Sequence, residues 1–310
     1  MTVAETTLTQ TLAWIRGGRR VVAATLFETE GSSPFRPGAK MVISEDSEIE
    51  GSVTGGCVEA AVTQEALALL ASGERTKLLR YGISDELAGT VGLMCGGIVH
   101  IALREIPAGE EDLLAALLDA GRDKVPFGTA TVLDGPDAGA LQAVVGDREL
   151  NESAAPDLLR RHLLTDLRGM IERGTNGVRR YGADGAQLGA EIGVFFEVRA
   201  AAPRLLIFGA VDFSAAVAPL AAQLGYRVTI CDAREAFARS ARFRESAEVV
   251  IGWPGELLDQ AELGDRDAVL VFTHDPKFDE PALIGALESG AGYIGALGSR
   301  RTATDRERRL

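Results

Sequence analysis

Cysteine is scarce in this chain: three residues, Cys57, Cys95 and Cys231, among 310. An odd, scattered set does not make a disulfide framework, and no C-x-x-C spacing offers a paired-thiolate metal site. Long apolar runs are missing too. None approaches the roughly 20 residues a transmembrane helix needs. The opening MTVAETTLTQTLAW lacks the basic and apolar regions of a secretory signal. Basic residues are outnumbered, 32 Lys and Arg against 45 Asp and Glu, for a net charge of −13 and a pI near 4.8. That balance argues against nucleic acid or an anionic membrane surface as a partner. Together these absences predict a reduced, soluble, cytoplasmic protein.

What is present is ordinary for a globular chain: 46% hydrophobic residues, 25% charged, mean hydropathy +0.08. At 310 residues, two domains are expected. Leu8, Leu12 and Ile15 give a first helix ended by Gly17-Gly18, and RVVAATLFE reads as a strand. TEGSSPFRPGAK is a loop, because Pro34 and Pro37 exclude regular structure. MVIS and EIEGSV resemble hairpin strands. Val58, Val62, Ala66 and Leu69 recur at helical spacing up to Gly73. TKLLRYGI and GGIVHIALREI are further strands, so the first hundred residues read as α+β. From Pro107 to Glu191 the pattern is fainter: helices at DLLAALLDAG and PDLLRRHLLTDLRGMIERG, strands at FGTATVLDG, ALQAVVGD and EIGVFFEVRA. This stretch is taken as a continuation, giving an α+β domain over 1–199.

From Arg204 the pattern changes. RLLIFG, YRVTICD, EVVIG, AVLVFTH and YIGALG are short apolar strands separated by helical segments, which indicates a parallel sheet with helices on its faces. Residues 203–310 are therefore expected to be a Rossmann-like α/β domain. The ending SRRTATDRERRL reads as the start of a helix, and so predicts that the natural chain continues. The first strand–helix turn is GAVDFS, from Gly209 to Ser214. A dinucleotide fingerprint would be G-x-G-x-x-G. Val211 stands at the second glycine, where a side chain crowds a pyrophosphate. Asp212 adds a negative charge that, at about 4 Å and an effective dielectric of 20, costs roughly 4 kcal/mol against another anion. Asp232, 23 residues after Gly209, stands where a ribose-binding acid belongs, although acids at strand ends also serve local turns. NAD(P) binding is accordingly not expected.

The stretch VTGGCVEAAVTQEALALL poses the sharper question. Gly55 and Gly56 permit close approach of another group, and Cys57 reads as lying in the first turn of a helix, where the dipole favours thiolate. The alternative is a small residue filling a tight turn. Glu59 suits a capping arrangement. Cys95, beside Gly96 and Gly97 in GLMCGG, is a second thiol next to a glycine pair, and the two thiols could share one soft ligand. Cys231 lies in a buried strand and is assigned to the core. His274 and Asp275 follow the strand AVLVF, where open α/β sheets bind ligands; a hydrogen-bonded turn is the other reading. Gly298, Ser299, Arg300 and Arg301 follow the next strand, at a helix start suited to phosphate or simply to solvent. Arg36 and Lys40 lie in a loop that can meet an anion or water. His100 and His162 are assigned structural places.

Three stretches considered together, GSSPFRPGAKMVISEDSEIEGSVTGGCVEAAV, LLRYGISDELAGTVGLMCGG and FTHDPKFDEPALIGALESGAGYIGALGSRR, resemble the XdhC/CoxI family of accessory factors for xanthine dehydrogenase, carbon monoxide dehydrogenase and related molybdenum hydroxylases. The resemblance spans both halves in order, with two departures: GAVD where the family has a GAGH-like turn, and no segment after GSRR of the family's usual kind. It implies a chaperone rather than a catalyst, which binds molybdenum cofactor transiently, protects it during sulfuration and delivers it to an apo-enzyme. It also implies a homodimer or larger homo-oligomer and contact with a cysteine desulfurase. On this reading Cys57 or Cys95 approaches the metal–dithiolene end or the transferred sulfur, Arg300 and Arg301 hold the phosphate, and the site lies in the cleft between the domains. The competing readings are an NAD(P)-dependent oxidoreductase and a protein-binding adaptor with a non-functional nucleotide site.

Overall fold

A computed structural model describes residues 3–82, 96–151, 157–299, 303, 304, 306 and 308. It divides into two compact units, Met1–Ala201 and Ala202–Leu310. In the first, helix α1 (Val3–Arg16) leads into strands β1 (Val21–Glu30), β2 (Lys40–Ser44) and β3 (Ile49–Gly51). Helix α2 (Glu59–Ser72) and strands β4 (Thr76–Tyr81) and β5 (Ile98–Ile106) complete an antiparallel sheet in the order β3-β2-β1-β5-β4. The pattern then repeats. Helix α3 (Glu111–Arg122), strands β6 (Phe127–Val132), β7 (Leu141–Val145) and β8 (Arg148–Asn151), helix α4 (Asp157–Arg173) and strands β9 (Gly177–Tyr181) and β10 (Ile192–Arg199) follow. Their antiparallel sheet has the corresponding order β8-β7-β6-β10-β9. The stretch that is faint in the sequence is thus a second α-βββ-α-ββ module.

Each module buries one helix on one sheet. Val62, Ala66, Leu69 and Leu70 recur on one face of α2 and pack with Val22, Ala24, Leu26, Ile101 and Leu103, and Gly73 ends the helix in the left-handed region. On α4, Leu159, Leu163, Leu167 and Met170 meet Ala130, Val132, Val194 and Phe196 in the same manner. The other face of the first sheet is covered as well: Val21, Ala23 and Ile106 pack with Leu12 and Ile15 of α1 and Leu114 and Leu118 of α3. This two-sided burial is why β1 is apolar almost without alternation. Beyond the helices, Phe27 and Ala102 of the first sheet meet Leu133 and Phe195 of the second.

The second unit is a parallel five-stranded sheet. Its strands are β11 (Arg204–Phe208), β12 (Arg227–Asp232), β13 (Glu248–Ile251), β14 (Ala268–Val271) and β15 (Tyr293–Ala296), in the order β13-β12-β11-β14-β15. Helices α5 (Asp212–Gln223), α6 (Glu235–Ala238), α7 (Pro254–Leu258) and α8 (Pro276–Glu288) connect them. Alternate residues of β11 face opposite cores: Leu205 and Ile207 pack with Ala218 and Ala221, whereas Leu206 and Phe208 pack with Leu258, Phe278 and Ala282. The fold is therefore α/β, with an N-terminal α+β unit and a C-terminal Rossmann-like sheet. Two details depart from the sequence reading. Strands β8 and β9 have no counterpart in it, and α7 has five residues, not the length of GELLDQAEL.

Candidate functional site

The loop between β3 and α2 is organised by one carboxylate. Glu59 accepts hydrogen bonds from Ser52 Oγ at 2.5 Å, Thr54 Oγ1 at 2.9 Å, and the backbone N–H groups of Thr54 (2.8 Å), Gly56 (2.9 Å), Val53 and Gly55 (both 3.1 Å) and Val58 (3.2 Å). Burial pushes this carboxyl group up, but the bonds from Ser52 and Thr54 outweigh it and lower the pKa to about 2. Gly55 (φ 83°) and Gly56 (φ 117°) adopt backbone conformations that strain other residues, which lets the chain curl its donors onto Glu59. The paired glycines therefore serve an internal anion. Their N–H groups are already taken and do not form a nest for an external phosphate.

Cys57 is half-buried and packs against the core under the first sheet. Its expected place in the first helical turn is corrected by the structure: α2 begins at Glu59, Val58 is its N-cap, and Cys57 lies just outside. The reason is Glu59 itself, which gathers the preceding N–H groups and so sets where the helix can start. Cys95 lies outside the described residues. Gly96 (φ 82°) and Gly97 follow it. Gly97 is pressed so closely on the 30–32 backbone that a Cβ would come within 2.0 Å of the Ser32 carbonyl oxygen.

Between the two sheets of this unit lies a cavity of about 750 Å³. Ser52 is part of its wall, so it adjoins the Glu59 loop. Phe35, 40% exposed, also lines it and lies against Gly55, where an added Cβ would be 3.5 Å from the ring. Asn176 positions the proline-rich loop that carries Phe35. Its side chain donates to the Pro37 carbonyl at 3.0 Å and accepts from the Val198 N–H at 2.8 Å. Lys40 pairs with Glu197 at 2.6 Å and ties the two sheets together, and Arg104 forms a twofold bridge to Glu110 with both bonds at 2.7 Å. Arg36, in the same loop, is exposed. Sequence reasoning missed Asn176 and Glu197. Each is an isolated polar residue at a strand, and only the second module's position over the first gives it a role.

In the second unit the candidates gather at the carboxyl edge of the parallel sheet. Gly209 follows β11 with φ 112°, and a Cβ there would approach Thr273 Cγ2 to 2.4 Å. Asp232 ends β12 fully buried. It accepts the Ala210 N–H at 2.7 Å, the Arg234 N–H at 2.9 Å and the Arg234 guanidinium at 2.7 and 2.9 Å. Burial opposes its charge, but Arg234 and these N–H groups hold it below the usual carboxylate range. An acid so engaged has little left for a ribose hydroxyl. Asp212 is highly exposed and paired with Arg242, which also donates to the Ala210 carbonyl at 3.1 Å. His274 is exposed, and Asp275 is the N-cap of α8, accepting the Lys277 N–H at 3.1 Å. Gly298 and Ser299 follow β15; Arg300 and Arg301 lie outside the described residues. Cys231 is buried in β12, and burial followed by Asp232 and Glu256 raises its thiol to about 12. The other histidines have partners: His100 meets Glu30 at 2.7 Å and His162 the Gly185 carbonyl at 2.8 Å. Among the described residues no group of three or more His, Cys, Asp or Glu side chains is placed to hold a metal ion. No helix among them is long and apolar enough to cross a membrane.

Comparison with known proteins places this geometry in context. Residues 14–82 match the XdhC and CoxI family, and residues 205–310 match the XdhC Rossmann domain. The chain is 28% identical to the molybdenum cofactor insertion chaperone PaoD of Escherichia coli K12, over 96% of this chain and 72% of that protein. It is 26% identical to a probable xanthine dehydrogenase subunit from Bacillus subtilis 168, over 93% of this chain and 82% of the other. A crystal structure from Bacillus halodurans, described as a xanthine dehydrogenase, shares the fold with a TM-score of 0.62 at 22% identity, covering 99% of this chain and 85% of that one. With its glycine–cysteine loop in the first match and its parallel sheet in the second, the chain belongs to the XdhC/CoxI family.

Proposed function

We propose that this chain is a maturation factor that binds molybdenum cofactor as cargo and delivers it to a molybdenum hydroxylase of the xanthine dehydrogenase or carbon monoxide dehydrogenase type. The relationship to PaoD, whose name describes a molybdenum cofactor insertion chaperone, supports this reading. The observation that carries it is the Glu59-built loop. This loop spends seven hydrogen bonds on an internal carboxylate, and its half-buried Cys57 is the soft donor this reading assigns to the cargo. A thiol suits a molybdenum–sulfur group, whereas hard oxygen donors suit magnesium or calcium. Cys95, two residues before Gly97, is the second candidate thiol. On the Rossmann unit, Gly209, His274, Asp275, Gly298, Ser299, Arg300 and Arg301 form a separate candidate set for a phosphate-bearing ligand.

In this reading the cofactor is cargo, the chain works as a chaperone, and contact with a cysteine desulfurase and self-association accompany the transfer. NAD(P) has no part in it. Val211 at the N-cap of α5 and the internally engaged Asp232 both argue against a pyrophosphate and ribose at the β11 turn. The test is an anaerobic titration of the reduced protein with molybdenum cofactor, beside Cys57→Ala and Cys95→Ala. Stoichiometric retention by the native chain, falling at least tenfold in Cys57→Ala, is the expected result. Failure of the native chain to retain cofactor overturns the proposal.

A further inference from the structure

Two antiparallel sheets that pack face to face are usually separated by about 10 Å, filled by side chains meeting in the middle. Here the middle is not filled. Among the inward positions on β1 and β5 are the small residues Ala23, Thr25 and Ala102, and among those on β6 are Thr129 and Thr131. These side chains are too short to meet, and the cavity of about 750 Å³ is what remains. Native interiors rarely tolerate such a gap, because every void forfeits packing. Larger residues close both flanks: Phe27, Leu133 and Phe195 on one side, Leu114 and Leu117 on the other. The gap is therefore local to the small residues and has the dimensions of a small-molecule pocket.

Its chemistry narrows the occupant. Lys40 and Arg104 are each neutralised by a carboxylate, and the third lining cation, Arg199, is exposed at the mouth, so the inner wall does not demand a strongly charged guest. Thr25, Thr129 and Thr131 line this largely apolar space, and their hydroxyls have no hydrogen-bond partner among the described residues. The two sheets form two of its walls, and helices α1 and α3 contribute Thr7, Leu8, Thr11, Leu114 and Leu117. An uncharged ring with apolar faces and hydrogen-bonding edges matches this lining. The cavity reaches the surface at Phe35, Asn176 and Arg199, and Ser52 joins its wall to the Glu59 loop.

We infer that the cavity between the two modules of the first unit is the binding site for a neutral bicyclic nitrogen heterocycle, the pterin ring of the cargo, held edge-on by the threonine hydroxyls. The inference rests on the carrier reading for the identity of the ring, and on the cavity itself for its place. It assigns ring recognition to the first unit, independent of the parallel sheet of the second.

Equilibrium dialysis with free pterin tests the site, with cofactor retention measured in the same preparations. Ala102→Leu and Thr129→Leu fill the space, and each is expected to weaken pterin binding and cofactor retention at least tenfold. Thr25→Val and Thr131→Val keep the shape and remove one hydroxyl, with an expected loss of roughly threefold each. Circular dichroism and melting temperature confirm that each variant is folded. Filled variants that fold and hold cofactor as well as the native chain overturn the cavity site and leave the carrier reading standing. A native chain that binds pterin, loses it on filling, and yet never retains cofactor overturns the carrier reading and leaves the ring site standing. A native chain that binds neither overturns both.

Discussion

At the scale of single residues, Glu59 determines more than its neighbours do. In sequence it is an ordinary acid behind a cysteine, suited to a helix cap, and that much was legible. What could not be read is that it would gather five backbone N–H groups and two hydroxyls from residues 52–58. Its effect on stability has a definite sign. The folded pKa, about 2, lies below the ordinary 4.5, so Glu59 stabilises the fold above pH 4.5 and loses that contribution as pH falls toward 2. Allowing for solvent screening of this part-exposed group, the contribution is roughly 2 kcal/mol. Glu59→Gln is expected to lower stability by about that amount at pH 7 and to converge with the native chain near pH 2, as measured by urea unfolding across the pH range. Parallel pH profiles would place the stabilisation elsewhere. The opposite lesson comes from Asp232. Its spacing from Gly209 suggested a ribose acid, but Arg234, two residues on, and the Ala210 N–H occupy its oxygens. Spacing gave its place; only the neighbouring side chain gave its partner.

At the scale of elements, the strongly apolar segments were legible because burial leaves a periodic trace. Strands β11, β12 and β14 and helices α2, α4 and α8 all follow apolar patterns visible in the sequence. Strands β8 and β9, RELN and GVRRY, are short and polar and hold their place by pairing with β7 and β10. Their strand character comes from the partner, so no local signal announces it. The chain's last described helical residues are fastened by a similar long-range contact. Arg306 reaches Asp279 of α8 at 3.1 Å, both side chains nearly fully buried, and Asp279 also accepts from Thr273 at the end of β14. Arg306→Ala leaves a buried carboxylate without its cation and is expected to cost about 3–5 kcal/mol. Asp279→Asn combined with Arg306→Met should recover part of that loss. Chemical denaturation of the two variants checks both expectations, and a cost under about 1 kcal/mol for Arg306→Ala would show the pair to be incidental.

At the scale of the whole molecule, the first unit is one arrangement used twice and the second is a parallel sheet with cores of its own. Every hydrophobic core cluster among the described residues draws its members from one unit alone. The expected consequence is that residues 202–310, expressed alone, fold cooperatively with a single urea transition. An excised unit that stays unfolded would mean its stability depends on the remainder of the chain. By itself the sequence determined the parallel sheet, the outward helices of each module and the family, because apolar periodicity and long glycine-punctuated motifs are local properties. Tertiary structure alone decided that the faint middle third repeats the first, since two sheets can share a topology with little common sequence when only inward apolarity is required. It also decided which polar residues are spent internally, as with Glu59 and Asp232, because a hydrogen-bond partner is a matter of position in space. The space between Ala23, Ala102 and Thr129 belongs to the same class: small residues are legible one at a time, but a cavity exists only where two sheets bring them face to face.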